Sequence, residues 1–152
     1  MKSQPDKTFI KDESGVVLVE AMLALPLLTL LTVGILEFGY MMWQRQQLQI
    51  GVRDAARYWS RCRPSFHNCT ADIARNIAFY GNPTGSGNPR VPGWDADSEL
   101  EITPSSPSTT PTASDIVVVR GTVTYQGSPL FDAVLSEPVP IGYWTTMRYL
   151  GW

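Results

Sequence analysis

Hydrophobic and polar positions divide the chain into a polar leader, an apolar run, an amphipathic continuation and a mixed tail. Met1 to Gly15 is polar and mixed in charge, with Lys2, Asp6, Lys7, Lys11, Asp12 and Glu13. Val16 to Leu36 is apolar except for one carboxylate, Glu20. A run of about twenty such residues can cross a bilayer as a helix. Beyond it, Met41, Leu48, Val52, Ala55 and Trp59 recur at helical spacings and form an apolar stripe. Arg53, Arg57 and Arg61 recur every fourth residue and form a second stripe. Only Pro26 interrupts Val16 to about Ser60. One helix of about 65 Å is therefore predicted, at about 1.5 Å per residue. Pro26 removes a helical N–H and tends to kink the helix, tolerable in lipid when the freed carbonyl is re-satisfied. The expected organisation is a leader over 1–15, a transmembrane helix over 16–40, its amphipathic continuation over 41–60 and a head domain over 61–152.

The tail alternates short elements with turn-rich stretches. Thr70 can cap a short helix whose apolar face is Ile73, Ala74, Ile77 and Ala78, and Gly81 stops it. Asn82 to Trp94 reads as loop. Glu99 to Thr103 alternates, with Leu100 and Ile102 on one side. Pro104 to Ser114 is a Ser/Thr/Pro stretch read as a mobile connection within the head. Asp115 to Gln126 is the clearest strand: Val117, Val119, Val123 and Tyr125 share one face, and Arg120, Thr122, Thr124 and Gln126 the other. Pro129 to Leu135 suits one or two helical turns, and Ile141 to Leu150 a closing strand. The fold class is α+β, with a three-stranded antiparallel sheet covering the amphipathic half of the long helix.

Composition narrows the function. Without leader and span about 110 residues remain, enough for one small domain. A net charge of −2 argues against a nucleic-acid partner. The two cysteines, Cys62 and Cys69, suggest one disulfide in an oxidising compartment, fixing how the chain leaves the long helix. A zinc site would need two more ligands, and only His67 lies between them. A secretory signal has an apolar region of about 7–15 residues followed by a small-residue cleavage site. Here the run is longer, holds Glu20 and passes into Glu37-Phe38-Gly39-Tyr40 without such a site, so it reads as an anchor that is uncleaved or trimmed only before its apolar part. Charge counting opposes the cysteines on orientation: three leader lysines face Arg45, Arg53 and Arg57 beyond the span, with Arg61 and Arg63 further on. Those arginines are spread along a structured helix, so the cysteine pair decides, and the head is expected on the periplasmic side.

Two carboxylates stand out. Glu20 lies inside the apolar run, where a charge costs roughly 2.5–3.5 kcal/mol on insertion scales, so it calls for a function. Glu37 is read as solvated at the membrane edge, with an assembly role as the competing reading. The arginine stripe is read as a solvated helix face, against pairing with acids of a neighbouring subunit. Asp95, Asp97 and Glu99 alternate as calcium ligands can, but without the EF-hand glycine and terminal glutamate, so a solvated loop is expected. Trp94, Trp144 and Trp152 are assigned to core packing or interfacial anchoring rather than a binding surface. There is no phosphate loop, zincin motif or nucleophile elbow. No enzyme, metal site or cofactor is expected.

The stretch Gly15-Val16-Val17-Leu18-Val19-Glu20-Ala21, with Leu25-Pro26-Leu27-Leu28, Gly34-Ile35-Leu36-Glu37-Phe38-Gly39, Gln47-Leu48 and Arg53-Asp54-Ala55-Ala56-Arg57-Tyr58, resembles the TadE-like minor pseudopilins of tight-adherence (Flp-type) pili, in the type IV pilus superfamily. Ala74 to Gly81 and the ending Thr146-Met147-Arg148 also look like that family. The resemblance implies a pilin-like fold and cleavage by a prepilin peptidase between Gly15 and Val16. It also implies that Glu20 neutralises the new N-terminal amine of an adjoining subunit. The implied partners are other pilin and pseudopilin subunits, the peptidase, the inner-membrane assembly platform and the lipid bilayer. The implied place is the bacterial inner membrane, single-pass, with entry into an extracellular pilus left open. Two positions depart from the pattern: the leader before Gly15 is less basic than in many prepilins, and Ala21 stands where major pilins carry Tyr. The competing reading is a membrane-anchored periplasmic binding module that enters no fibre.

Overall fold

The computed structural model describes residues 14–65, 68–110, 112, 114–129, 131 and 137–150. The leader before Ser14, His67, Trp152 and most of the helical turn expected over 129–135 lie outside the described residues. Residues 1–38 and 39–152 form two separate compact units.

Helix α1 is the 47-residue segment Ser14–Ser60, with Pro26 inside it. At about 1.5 Å per residue it is about 70 Å long. In the first unit the apolar side chains are uncovered all round, from Val16, Leu18 and Leu23 to Leu30, Ile35 and Leu36. The hydroxyls of Thr29 and Thr32 each donate to the carbonyl four residues back, Leu25 and Leu28, both at 2.8 Å. These bonds hide the only hydroxyls of the apolar run, as a helix in hydrocarbon requires.

In the second unit α1 buries one stripe. Leu48, Val52, Ala55, Ala56 and Trp59 are inaccessible or nearly so. Burying each large apolar side chain contributes about 1.5–3 kcal/mol. Helix α2, Ala71–Tyr80, is set by its ends: the Thr70 hydroxyl accepts from the Ile73 N–H, and Gly81 takes a left-handed φ of 76° with its N–H on the Ile77 carbonyl. It buries Ala74, Ala78 and Phe79.

The sheet is antiparallel, in the order β1 (Leu100–Thr103), β2 (Ile116–Thr124), β3 (Pro140–Arg148). Period-two alternation sends Val117, Val119, Gly121 and Val123 to the core and Arg120, Thr122 and Thr124 outward. On the outer face the register lines up Glu101, Arg120 and Trp144 across all three strands. Tyr125 lies just past β2 and stays buried, its N–H on the Val139 carbonyl at 2.8 Å.

The first part of the stretch between β1 and β2 is tied down at Pro104 and Ser108. The Trp59 indole donates to the Pro104 carbonyl at 2.9 Å, and the Tyr149 hydroxyl donates to the Ser108 carbonyl at 3.2 Å. The residues just after β3 are fixed likewise: the Tyr149 N–H bonds the Asp115 carbonyl at 2.9 Å and the Leu150 N–H the Ser60 carbonyl at 2.7 Å.

Candidate functional site

The conspicuous chemistry is at the start of α1. Gly15 has no positive φ, and a Cβ built on it meets nothing within 4 Å. Neither backbone conformation nor packing inside this chain calls for glycine there, and glycine in a helix costs about 1 kcal/mol relative to alanine. Val16 follows with its side chain 68% exposed. Glu20 is exposed five residues after Gly15, and no ion pair or hydrogen bond to it occurs among the described residues. The carboxylate therefore stands in an apolar surface without a counter-ion among the described residues. Among the described residues α1 is the one helix long and apolar enough to cross a membrane, and it fits a single-pass anchor.

Glu37 departs from expectation. It is 8% exposed and holds an interaction, so it is not solvated. Within the second unit, positions 41, 44, 48, 52, 55 and 59 are spaced by three or four and share one line of the helix. Gln44 is on the same line and the apolar pattern missed it. It is fully buried, and its amide donates to the Gln126 carbonyl at 3.0 Å. A polar residue with a specific partner can occupy a core stripe, and spacing alone does not reveal that partner.

At the other end of α1, Cys62 and Cys69 are joined. The Tyr149 hydroxyl donates to the Cys62 carbonyl. Burial foremost, and then the Asp115 charge, raises the Tyr149 pKa above the usual tyrosine value. Arg53 donates to the Tyr143 hydroxyl at 3.1 Å and lies over that ring at 5.4 Å from its centroid. Arg57 and Arg61 are exposed and make no ion pair among the described residues. Asp54, between these arginines in sequence, pairs with Arg90 at 2.9 Å.

Two of the three alternating acids, Asp97 and Glu99, make contacts within the head. Glu99 turns back to accept from the N–H groups of Asp95 and Ala96, both at 3.1 Å. Asp97 lies 3.7 Å from the Arg75 guanidinium. Of the tryptophans, Trp94 is fully buried and Trp144 is 60% exposed on the outer sheet face.

These features have a known counterpart in the helix. Residues 15–57 match the model of the TadE-like protein family. The match begins at Gly15, includes Glu20, Pro26 and Glu37, and ends within α1, before the head's sheet and disulfide. The TadE-like family is associated with Tad pili and is structural rather than catalytic. No curated protein and no solved structure matches the chain.

Proposed function

We propose that this chain is a minor pseudopilin that primes, caps or supports assembly of a Tad-type pilus used for surface attachment. The observation that carries the proposal is Glu20, an exposed carboxylate in an apolar helix with no partner among the described residues. A carboxylate in a low-dielectric layer needs a counter-charge. The α-amino group released by cleavage after Gly15 in an adjoining subunit is of the right sign and lies in the same layer. The glycine at 15, where a Cβ meets nothing within 4 Å among the described residues, supports recognition by a prepilin peptidase.

In this role the segment from Val16 anchors the protein in the inner membrane, and the head faces the periplasm, where Cys62 and Cys69 can oxidise. The apolar surface of α1 is shared between lipid, other pilin and pseudopilin subunits and the assembly platform. Pro26 sets a local bend for that packing, and Glu37 contributes to assembly at the end of the span.

The test is the intact mass of the mature protein purified from host membranes. A chain beginning at Val16 supports the proposal. A chain still beginning at Met1 contradicts the processing step and leaves an uncleaved anchor.

A further inference from the structure

Building on the reading of the chain as a pilus component, we propose that the acidic turn Asp95–Asp97 of one copy docks on the Arg57–Arg61 face of α1 in a second copy. The contact would be heterologous, joining two different surfaces of identical chains.

The receiving face is basic at its rim and apolar at its floor. Arg57 and Arg61, one helical turn apart, edge a cleft of about 310 Å³ also lined, among the described residues, by Tyr58, Cys62 and Cys69. The disulfide holds this wall beside the end of α1, and the Tyr58 hydroxyl is turned away to the Asn68 carbonyl at 3.4 Å. The two guanidinium groups thus have no ion-pair partner among the described residues and flank a hollow whose other described lining residues carry no charge.

The donating turn has the complementary form. Asp95, Ala96, Asp97 and Ser98 are all exposed. Glu99 bonds the N–H groups of Asp95 and Ala96, so the turn is held without using the Asp95 carboxylate. The Asp97 side chain is 77% exposed, and its one ion pair, with Arg75, is long at 3.7 Å. Ala96 has extended backbone, φ −86° and ψ 137°, so Asp95 and Asp97 are separated by one extended repeat, about 6–7 Å. Side chains one turn apart on a helix are separated by about 5–6 Å. Two carboxylates on one side of the extended Ala96 can meet two guanidinium groups in register, with the Ala96 side chain directed away from the cleft.

Complementarity within one sequence favours a second copy over another occupant. The cleft and the turn lie on different elements of the chain, so each contact leaves a free cleft at one end and a free turn at the other. Such a contact propagates rather than closing as a twofold pair would. The net charge of −2 gives no long-range attraction to a polyanion.

The test uses the full chain in host membranes, with equal amounts of copies at natural isotope abundance and copies labelled with nitrogen-15. The native chain has no lysine after Lys11, so Arg57→Lys with Arg61→Lys keeps the charge and adds the only side-chain amines of the head. A zero-length carbodiimide joins an amine to a touching carboxylate, and mass spectrometry of the linked peptides shows whether the two isotopes are mixed. The expected result is mixed-isotope links from the introduced lysines to Asp95 or Asp97. Their yield should fall at least about threefold between about 0.05 and 0.5 M salt, as screening shortens, and vanish in Asp95→Asn with Asp97→Asn. All four positions are exposed, so an unchanged melting temperature keeps the comparison at constant fold. Links confined to one isotope, links only to a different polypeptide, or none would each overturn the proposal. Absence of mixed links in protein that begins at Val16 removes the docking contact alone. A chain beginning at Met1 counts against the pseudopilin reading, whatever the cross-links.

Discussion

Gly51 and Trp94 occupy one shared space: a Cβ on Gly51 would stand 2.7 Å from Cζ3 of the Trp94 ring and 2.5 Å from the Ala78 carbonyl oxygen. Gly121 of β2 offers the ring its second flat wall, with Cζ2 at 3.1 Å from where a Cβ would be. Phe79 meets the ring edge-on at 4.9 Å. The indole is thus the wedge on which α1, α2 and the sheet converge. Gly51→Ala is expected to destabilise the head by about 1–3 kcal/mol through overpacking against backbone, read as a lowered thermal midpoint. Gly39→Ala, where a Cβ meets nothing within 4 Å, is the control and should leave the midpoint unchanged or raise it.

Glu20→Ala is expected to abolish pilus assembly while leaving the head's melting temperature within experimental error, because Glu20 has no partner in its own chain among the described residues. Piliation is measured by electron microscopy and by the sheared surface fraction. Normal piliation in this variant would count against the pseudopilin reading.

The Asp54–Arg90 pair ties α1 to the chain just beyond α2, with both side chains less than one-third exposed. A double-mutant cycle with Asp54→Asn and Arg90→Gln should give a coupling of about 1 kcal/mol, the upper range for accessible pairs. The coupling should shrink at high salt.

The disulfide closes a short loop, at a sequence separation of 7. Its loss by Cys62→Ser with Cys69→Ser should cost about 2–3 kcal/mol on the chain-entropy account, measured by urea unfolding. Alkylation during cell lysis should find no free thiol. Free thiols would contradict both the bond in the cell and the periplasmic placement of the head.

Tyr149 gives an alkaline limit. Its folded pKa is raised, by burial first and the Asp115 charge second. The neutral form is the one the fold favours. The stability it supports is therefore whole below the ordinary tyrosine pKa and is lost as pH rises from there through the raised value. Tyr149→Phe should flatten that alkaline fall in unfolding free energy. The variant should also be less stable near neutral pH, since it loses the hydroxyl's bonds to the Cys62 and Ser108 carbonyls.

Periodicity and local turn chemistry determined much of this protein. The single long helix follows from an apolar run that passes without a break into a stripe at Leu48, Val52, Ala55 and Trp59. The short helix follows from a Thr70 cap and a left-handed Gly81, and the central strand from strict alternation between Val117 and Val123. Glu20 after Gly15 was legible because a carboxylate is conspicuous in an apolar run. These signals act between residues a few positions apart, so the sequence states them directly. The tertiary structure decided what depends on distant partners. Gln44 is buried although it is polar, and its bond reaches Gln126. The Ser/Thr/Pro stretch reads as loose but is held by Trp59 and Tyr149. Trp94 stands among loop residues and becomes the core wedge because Gly51 and Gly121 leave room for its ring. Long-range fit of this kind depends on which surfaces meet after the chain folds, and no local pattern encodes it.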